Sequence, residues 1–267
     1  MNLTVDLVLA DLPGLALLSA VLVALLVGVE LAGRALPCPR EWIRKAAHIG
    51  SGLILLAVPW IVGTPASLAV VAVTFAGGLA LSQRLGVLGS IHGVSRQTDG
   101  VVLFPLGAAA LFALADGDPF RYCVPLLVLT VSDSLAALVG QKLGRTRYRV
   151  GESERTLEGS AAFVLSAAAI TWAGLAFADV AAPGDRPLVA GSVALVACAI
   201  EAVSFRGWDN LWIPVGSWAA LELLVDAPVV RIGSALGPAI LLVVWIACFA
   251  APLWVLLPRL AVRGGRA

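Results

Sequence analysis

A chain of 267 residues that is 60% hydrophobic and 13% charged is not an ordinary soluble domain, in which charged residues make up roughly 25%. A net charge of +1 without a basic stripe argues against a nucleic-acid partner. Four scattered cysteines (Cys38, Cys123, Cys198, Cys248) without a CxxC pair offer neither a disulfide framework nor a zinc site.

The mean hydropathy of +0.97 and repeated apolar runs predict a polytopic, all-α integral membrane protein, a single transmembrane domain over 1–267. Each run is about 18–25 residues, enough to cross a ~30 Å hydrocarbon core. Nine spans are expected, at about 12–32, 46–62, 66–83, 100–115, 121–141, 160–178, 187–204, 210–226 and 233–257. The first has no basic stretch before it and carries Asp6 and Asp11 near its start, so it reads as a retained helix rather than a cleaved signal. With the N-terminus outside, 15 of the 18 basic residues fall on inner loops and the tail, leaving Arg121, Arg186 and Arg231 outside. The positive-inside rule therefore places the C-terminus in the cytoplasm, as expected of a protein of the inner or plasma membrane.

Charges at the ends of spans are common, and those inside spans call for a function. The second span opens with "REWIRKAAHIGSG", 40–52, where Arg44, Lys45 and His48 share one helix face. A positive-inside anchor followed by a buried histidine is the plain reading. In the fifth span Asp133 lies within an apolar run, with Ala137 and Gly140 on its face admitting a neighbouring backbone or a ligand.

The loop after that span carries Lys142, Arg145, Arg147 and Arg149, then "ERTLEGSAAF". Basic side chains of this kind hold phosphates, arginine by bidentate contacts. Arg155 precedes a helix start at which Thr156 or Ser160 can act as cap, and helix N-terminal amides attract anions. Gly159 would let a ligand approach the backbone. The plain reading is a solvated loop with a capping box around Glu158. Further on, Glu201 ends the seventh span, and Asp209 and Asn210 precede the eighth, with Pro214 one turn in. Asp209 and Asn210, like Asp133 and Glu158, offer oxygen ligands for Mg²⁺ or another divalent cation.

All these groups are expected at one membrane depth on one face. Acids for a cation and bases for phosphate suit phosphoryl transfer, where positioning and charge stabilisation do most of the catalysis. There is no Walker loop and no kinase-type glycine loop, so a nucleotide would be held by another scaffold.

In order and spacing these residues resemble the CTP-dependent lipid alcohol kinases, the phytol, dolichol and polyprenol kinases and the CTP-dependent diacylglycerol kinase, distant relatives of phosphatidate cytidylyltransferase. The likeness runs from Arg44 to Pro214, within a core of about 40–226. Arg44, Lys45 and His48 match an Arg-Lys-x-x-His start. Ser132, Asp133, Ala136 and Gly140 match Gly-Asp-x-x-Ala-x-x-x-Gly. Arg155, Thr156, Gly159 and Ser160 match Lys-Ser/Thr-x-x-Gly-Ser, and Glu201, then Asp209, Asn210 and Pro214, complete the set. Serine at 132 replaces the usual glycine, and arginine at 155 replaces the usual lysine.

The resemblance implies a kinase moving the γ-phosphate of CTP or ATP to a lipid alcohol of the phytol or polyprenol type, at the cytoplasmic face. His48, Asp133 or Glu158 could take the hydroxyl proton. The long cytidylyltransferase signature is missing from the chain. A CDP-lipid synthase and a small-solute or ion transporter are the alternatives. A transporter more often shows inverted repeats and helices broken near the midplane.

Overall fold

The computed structural model describes residues 3–92, 99–150 and 153–225. The chain starts with α1 (Leu3–Ala35), α2 (Arg40–Leu55), α3 (Val58–Ile61), α4 (Pro65–Arg84) and α5 (Gly89–His92). Next come α6 (Gly100–Ala115), α7 (Pro119–Leu127), a π-helical stretch (Val128–Ser132) and α8 (Asp133–Leu143). A hairpin of β1 (Arg147–Val150) and β2 (Ser153–Thr156) leads into α9 (Leu157–Phe177), α10 (Arg186–Val203) and α11 (Asp209–Val225).

Local chemistry sets the helix starts. The Thr64 side chain accepts from Ser67 N with proline next in line at α4, and Asp118 accepts from Phe120 N and Arg121 N ahead of Pro119 at α7. Both pair an N-cap oxygen with a proline whose missing N–H costs nothing in the first turn. Among the described residues, five helices are long and apolar enough to cross a membrane: Val8–Ala35, Pro65–Arg84, Pro119–Leu143, Leu157–Phe177 and Arg186–Val203. Gly100–Ala115 is a shorter apolar helix. Tyr122, Phe163, Leu111, Leu126 and Ile213 fill the core, while Val70, Leu165, Phe177 and Leu223 stand largely exposed, as side chains facing lipid do.

Two expectations change. The run at 46–62 is not one helix: α2 starts at Arg40 and ends at Leu55, and Pro59 then opens the short α3. The charged loop after α8 is an antiparallel hairpin, the exception to an all-α fold, with Tyr148 opposite Arg155 and Arg149 opposite Glu154. Opposite charges across the ladder support it, and Arg147 Nη1 pairs with Glu154 Oε1 at 2.9 Å. The expected ninth span, 233–257, lies outside the described residues.

Helices that run up and down in turn bring the ends at 35, 84, 143 and 203 and the starts at 40, 100, 157 and 209 to one end of the bundle. Cross-links tie that end together. Ser90 N donates to Glu30 Oε2 (2.9 Å), and Asn210 Nδ2 donates to the Gly100 carbonyl (2.7 Å). The far end has its own clamp, where buried Asp11 accepts from Gly63 N, Thr64 N and Thr64 Oγ1.

Candidate active site

Lys45 and Asp133, 88 residues apart, form a buried ion pair between α2 and α8, their side chains 3% and 13% exposed. Burying two charges is expensive and is offset only when they meet each other and further partners. Lys45 Nζ also lies 3.4 Å from the Asp133 carbonyl. The π-helical turn immediately before Asp133 is a local irregularity of the kind often found at functional sites. His48, one turn beyond Lys45, brings Nε2 to 3.8 Å from Asp133 Oδ2. That nitrogen is buried and has no hydrogen-bond partner among the described residues. Arg44, on the same face, is held by Glu41, its Nε 2.9 Å from Oε2 with a second contact from Nη2 to Oε1.

A second cluster is centred on Arg155, in β2. Arg155 Nε lies 2.8 Å from Glu201 Oε1 as an ion pair, with the N–H off-line for a hydrogen bond. Its Nη2 reaches the carbonyls of Glu201 (3.2 Å) and Ser204 (3.5 Å) and stands 3.7 Å from Asp209 Oδ2. The hairpin thus delivers one guanidinium to the end of α10 and the start of α11. Asp133 acts electrostatically on both Glu201 and Asp209, so the two clusters form one charged centre.

Beyond its distant contact to Arg155, Asp209 accepts from Asn210 N (2.9 Å), which leaves it oxygen lone pairs to offer. Asp133 and Asp209 are hard oxygen donors suited to Mg²⁺, which needs one or two carboxylates plus substrate phosphates. No cluster of three or more potential metal-ligating side chains occurs among the described residues.

Other expected site residues have local duties. Glu158 sits at the surface end of α9, where its carboxylate accepts from Thr146 N (3.2 and 3.3 Å) and closes the base of the hairpin. Thr156 is the α9 cap, accepting from Gly159 N (3.1 Å), and Ser160 meets the Tyr148 hydroxyl at 2.6 Å. Gly159 and Gly140 serve helix packing. A side chain at 159 would run into the Ala136 carbonyl and Gly140 Cα, so it is α8 that approaches this glycine backbone. Lys142 lies over the Trp42 ring at 4.3 Å, and Arg145 and Arg149 are exposed. Pro214, within α11, has no N–H for the Asn210 carbonyl, which instead packs where a side chain at Gly107 would sit.

Glu41, Tyr148 and Ser204 were not singled out from sequence. Glu41 is three residues before Arg44 on the same face, a signal that was there to read. Tyr148 alternates with Arg147 and Arg149 in strand fashion, and burial pushes its hydroxyl above its ordinary pKa, keeping it neutral beside Ser160.

Against known proteins, the chain is 35% identical over 212 residues to "Phytol kinase" of Synechocystis sp., an alignment covering 75% of this chain and 88% of that protein. It belongs to the lipid alcohol kinase family. No family model matches, and no solved structure matches. As a lipid alcohol kinase the chain is a phosphotransferase with an alcohol acceptor. Phosphotransferases of this kind use a nucleotide phosphate donor and typically a divalent cation. The stretches Arg44–His48 and Ser132–Asp133 of this chain are the parts that meet as the buried Lys45, His48 and Asp133.

Proposed function

We propose that the protein is a CTP-dependent kinase for an isoprenoid alcohol of the phytol or polyprenol type, working at the cytoplasmic face of a nine-span membrane domain with its N-terminus outside. The observation that carries this reading is the buried Lys45–Asp133 pair with the unpartnered His48 Nε2 beside it, in an apolar chain related to phytol kinase. The alcohol oxygen attacks the γ-phosphorus, an O–P bond forms, and the bond from that phosphorus to the β–γ bridging oxygen breaks, releasing CDP. The hydroxyl proton passes to His48 Nε2.

Lys45 pins Asp133 and adds positive charge near the transferring phosphoryl group. Arg155 and Arg44 draw the triphosphate, with Lys142, Arg145 and Arg147 attracting it from the loop. Asp133 and Asp209, with Asn210 beside them, would hold the divalent cation, which would supply charge neutralisation of the phosphates. Glu158, engaged with Thr146 N, shapes the hairpin rather than taking a proton or binding the cation.

The test is product analysis with purified protein, a prenol and γ-labelled CTP or ATP. Labelled lipid monophosphate with CDP is expected, abolished by EDTA and restored by Mg²⁺. A CDP-lipid with pyrophosphate would make the enzyme a cytidylyltransferase. His48→Ala is expected to lower kcat by about 10²- to 10⁴-fold with nucleotide KM little changed. Wild-type kcat in that variant would remove His48 as the base.

A further inference from the structure

An apolar groove runs between α1, α2, α4 and α6 and ends against the charged centre. Its walls are Leu22 and Leu26 of α1, Ala72 and Leu79 of α4, and Phe104 and Ala108 of α6. Polar groups line it at one end, where Arg44, His48, Ser51 and Asn210 meet Gly100. Arg44 is engaged by Glu41, and the Asn210 amide nitrogen by the Gly100 carbonyl. His48 keeps its buried Nε2 without a partner and belongs both to the groove and to the Asp133 cluster. At the other end lie Leu18, Leu55 and Leu68, all buried, from three different helices.

A pocket with apolar walls and its hydrogen-bonding groups, His48 and Ser51 among them, gathered at the head fits a single-chain amphiphile with one hydroxyl. The 11 helical steps from Leu68 to Leu79 of α4 set a depth of roughly 16 Å at ~1.5 Å per step, which holds about three extended isoprene units. Ala47, Ala72 and Ala108, on three different helices, leave recesses between the leucines where branch methyls can sit.

We infer that this groove holds the hydrocarbon tail of the acceptor alcohol with its hydroxyl at His48, and that Leu18, Leu55 and Leu68 form a floor that sets the preferred chain length. The inference rests on the alcohol-kinase reading above. A tail longer than the groove must leave it sideways between helices, so the floor discriminates by length.

Ala72→Phe, which puts a ring halfway down the groove, tests this against Val73→Phe on the exposed side of the same helix, where Val73 is 62% exposed. For Ala72→Phe the KM of a four-unit prenol should rise tenfold or more, that of a two-unit prenol less than twofold, and the nucleotide KM should not move. Val73→Phe should behave as wild type. Equal effects on all chain lengths, or the same effect from Val73→Phe, would overturn the tail site.

Should Ala72→Phe fail to fold, Leu68→Ala is expected to shift the preference toward longer prenols, and an unmoved preference counts against the floor. A three-unit prenol with a diazirine at its far end reads the site without turnover. Label on Leu18, Leu55 or Leu68 supports it, and label confined to lipid-facing Val70 and Val73 overturns it. Label in the groove without phosphorylation of any alcohol would remove the kinase reading alone. Phosphorylation without groove label or a length effect would remove the tail site alone.

Discussion

Lys45 and Asp133 form a buried ion pair, and this couples folding to chemistry at two positions. Removing one partner leaves an uncompensated buried charge, which costs about 3–5 kcal/mol, whereas replacing both with apolar side chains is often neutral or stabilising. Lys45→Met is therefore expected to lower the melting temperature of the detergent-solubilised protein sharply, and Lys45→Met with Asp133→Leu to recover most of it. Phosphotransfer should be absent from both variants. Recovered activity in the double variant would make the pair structural only. Arg155 differs because its guanidinium faces both Glu201 and the proposed phosphate position. Losing one charge-assisted contact should raise the nucleotide KM of Arg155→Ala by about 10- to 150-fold, with prenol KM much less affected. Arg155→Lys keeps the charge and most of the activity, but it loses the Nη2 contacts to the Glu201 and Ser204 carbonyls, so a small drop in stability is expected. Unchanged nucleotide kinetics in Arg155→Ala would end the phosphate-binding reading.

At the scale of elements, the apolar runs were legible because the membrane imposes length and composition together, and most span limits lie within a few residues of the helices. The break after Leu55 was harder to see, because Val58, Pro59 and Trp60 continue the apolar pattern while the proline restarts the helix. The hairpin is hidden in the sequence because four-residue strands give little periodicity, and its charges suit phosphate binding as well as cross-strand pairing. Gly159 is instructive in the same way. A glycine beside a proposed ligand loop suggests a ligand, but the backbone that needs the space belongs to α8, which only the packed helices reveal. Gly159→Val should therefore force α9 away from Ala136 and Gly140 and destabilise the protein by about 1–3 kcal/mol, seen as a lowered melting temperature with retained prenol KM in the folded fraction. A stable Gly159→Val protein with a raised nucleotide KM would return the glycine to the nucleotide site.

For the whole molecule, the alternation of helices explains why residues from Arg44 to Pro214 can form one centre at one end of the bundle. Every second helix returns the chain to the same end of the bundle, so sequence-distant charges can meet there, as Lys45 and Asp133 do. That much followed from counting spans. The groove did not, because which faces of four helices turn toward one another is a property of packing that no single run displays. The same alternation fixes a testable polarity. Arg145 is exposed before the hairpin and Gly184 between α9 and α10, so a membrane-crossing α9 would separate them. With Cys38, Cys123, Cys198 and Cys248 replaced, Arg145→Cys and Gly184→Cys are expected to react with a membrane-impermeant thiol reagent from opposite sides, Arg145→Cys from the cytoplasmic side. Concentration of basic residues at the end that holds Arg145 supplies the direction, since cytoplasmic loops retain lysine and arginine. Labelling of both positions from one side would show that α9 does not cross. Labelling of Arg145→Cys from outside would invert the molecule and put the charged centre where cytoplasmic CTP cannot reach it.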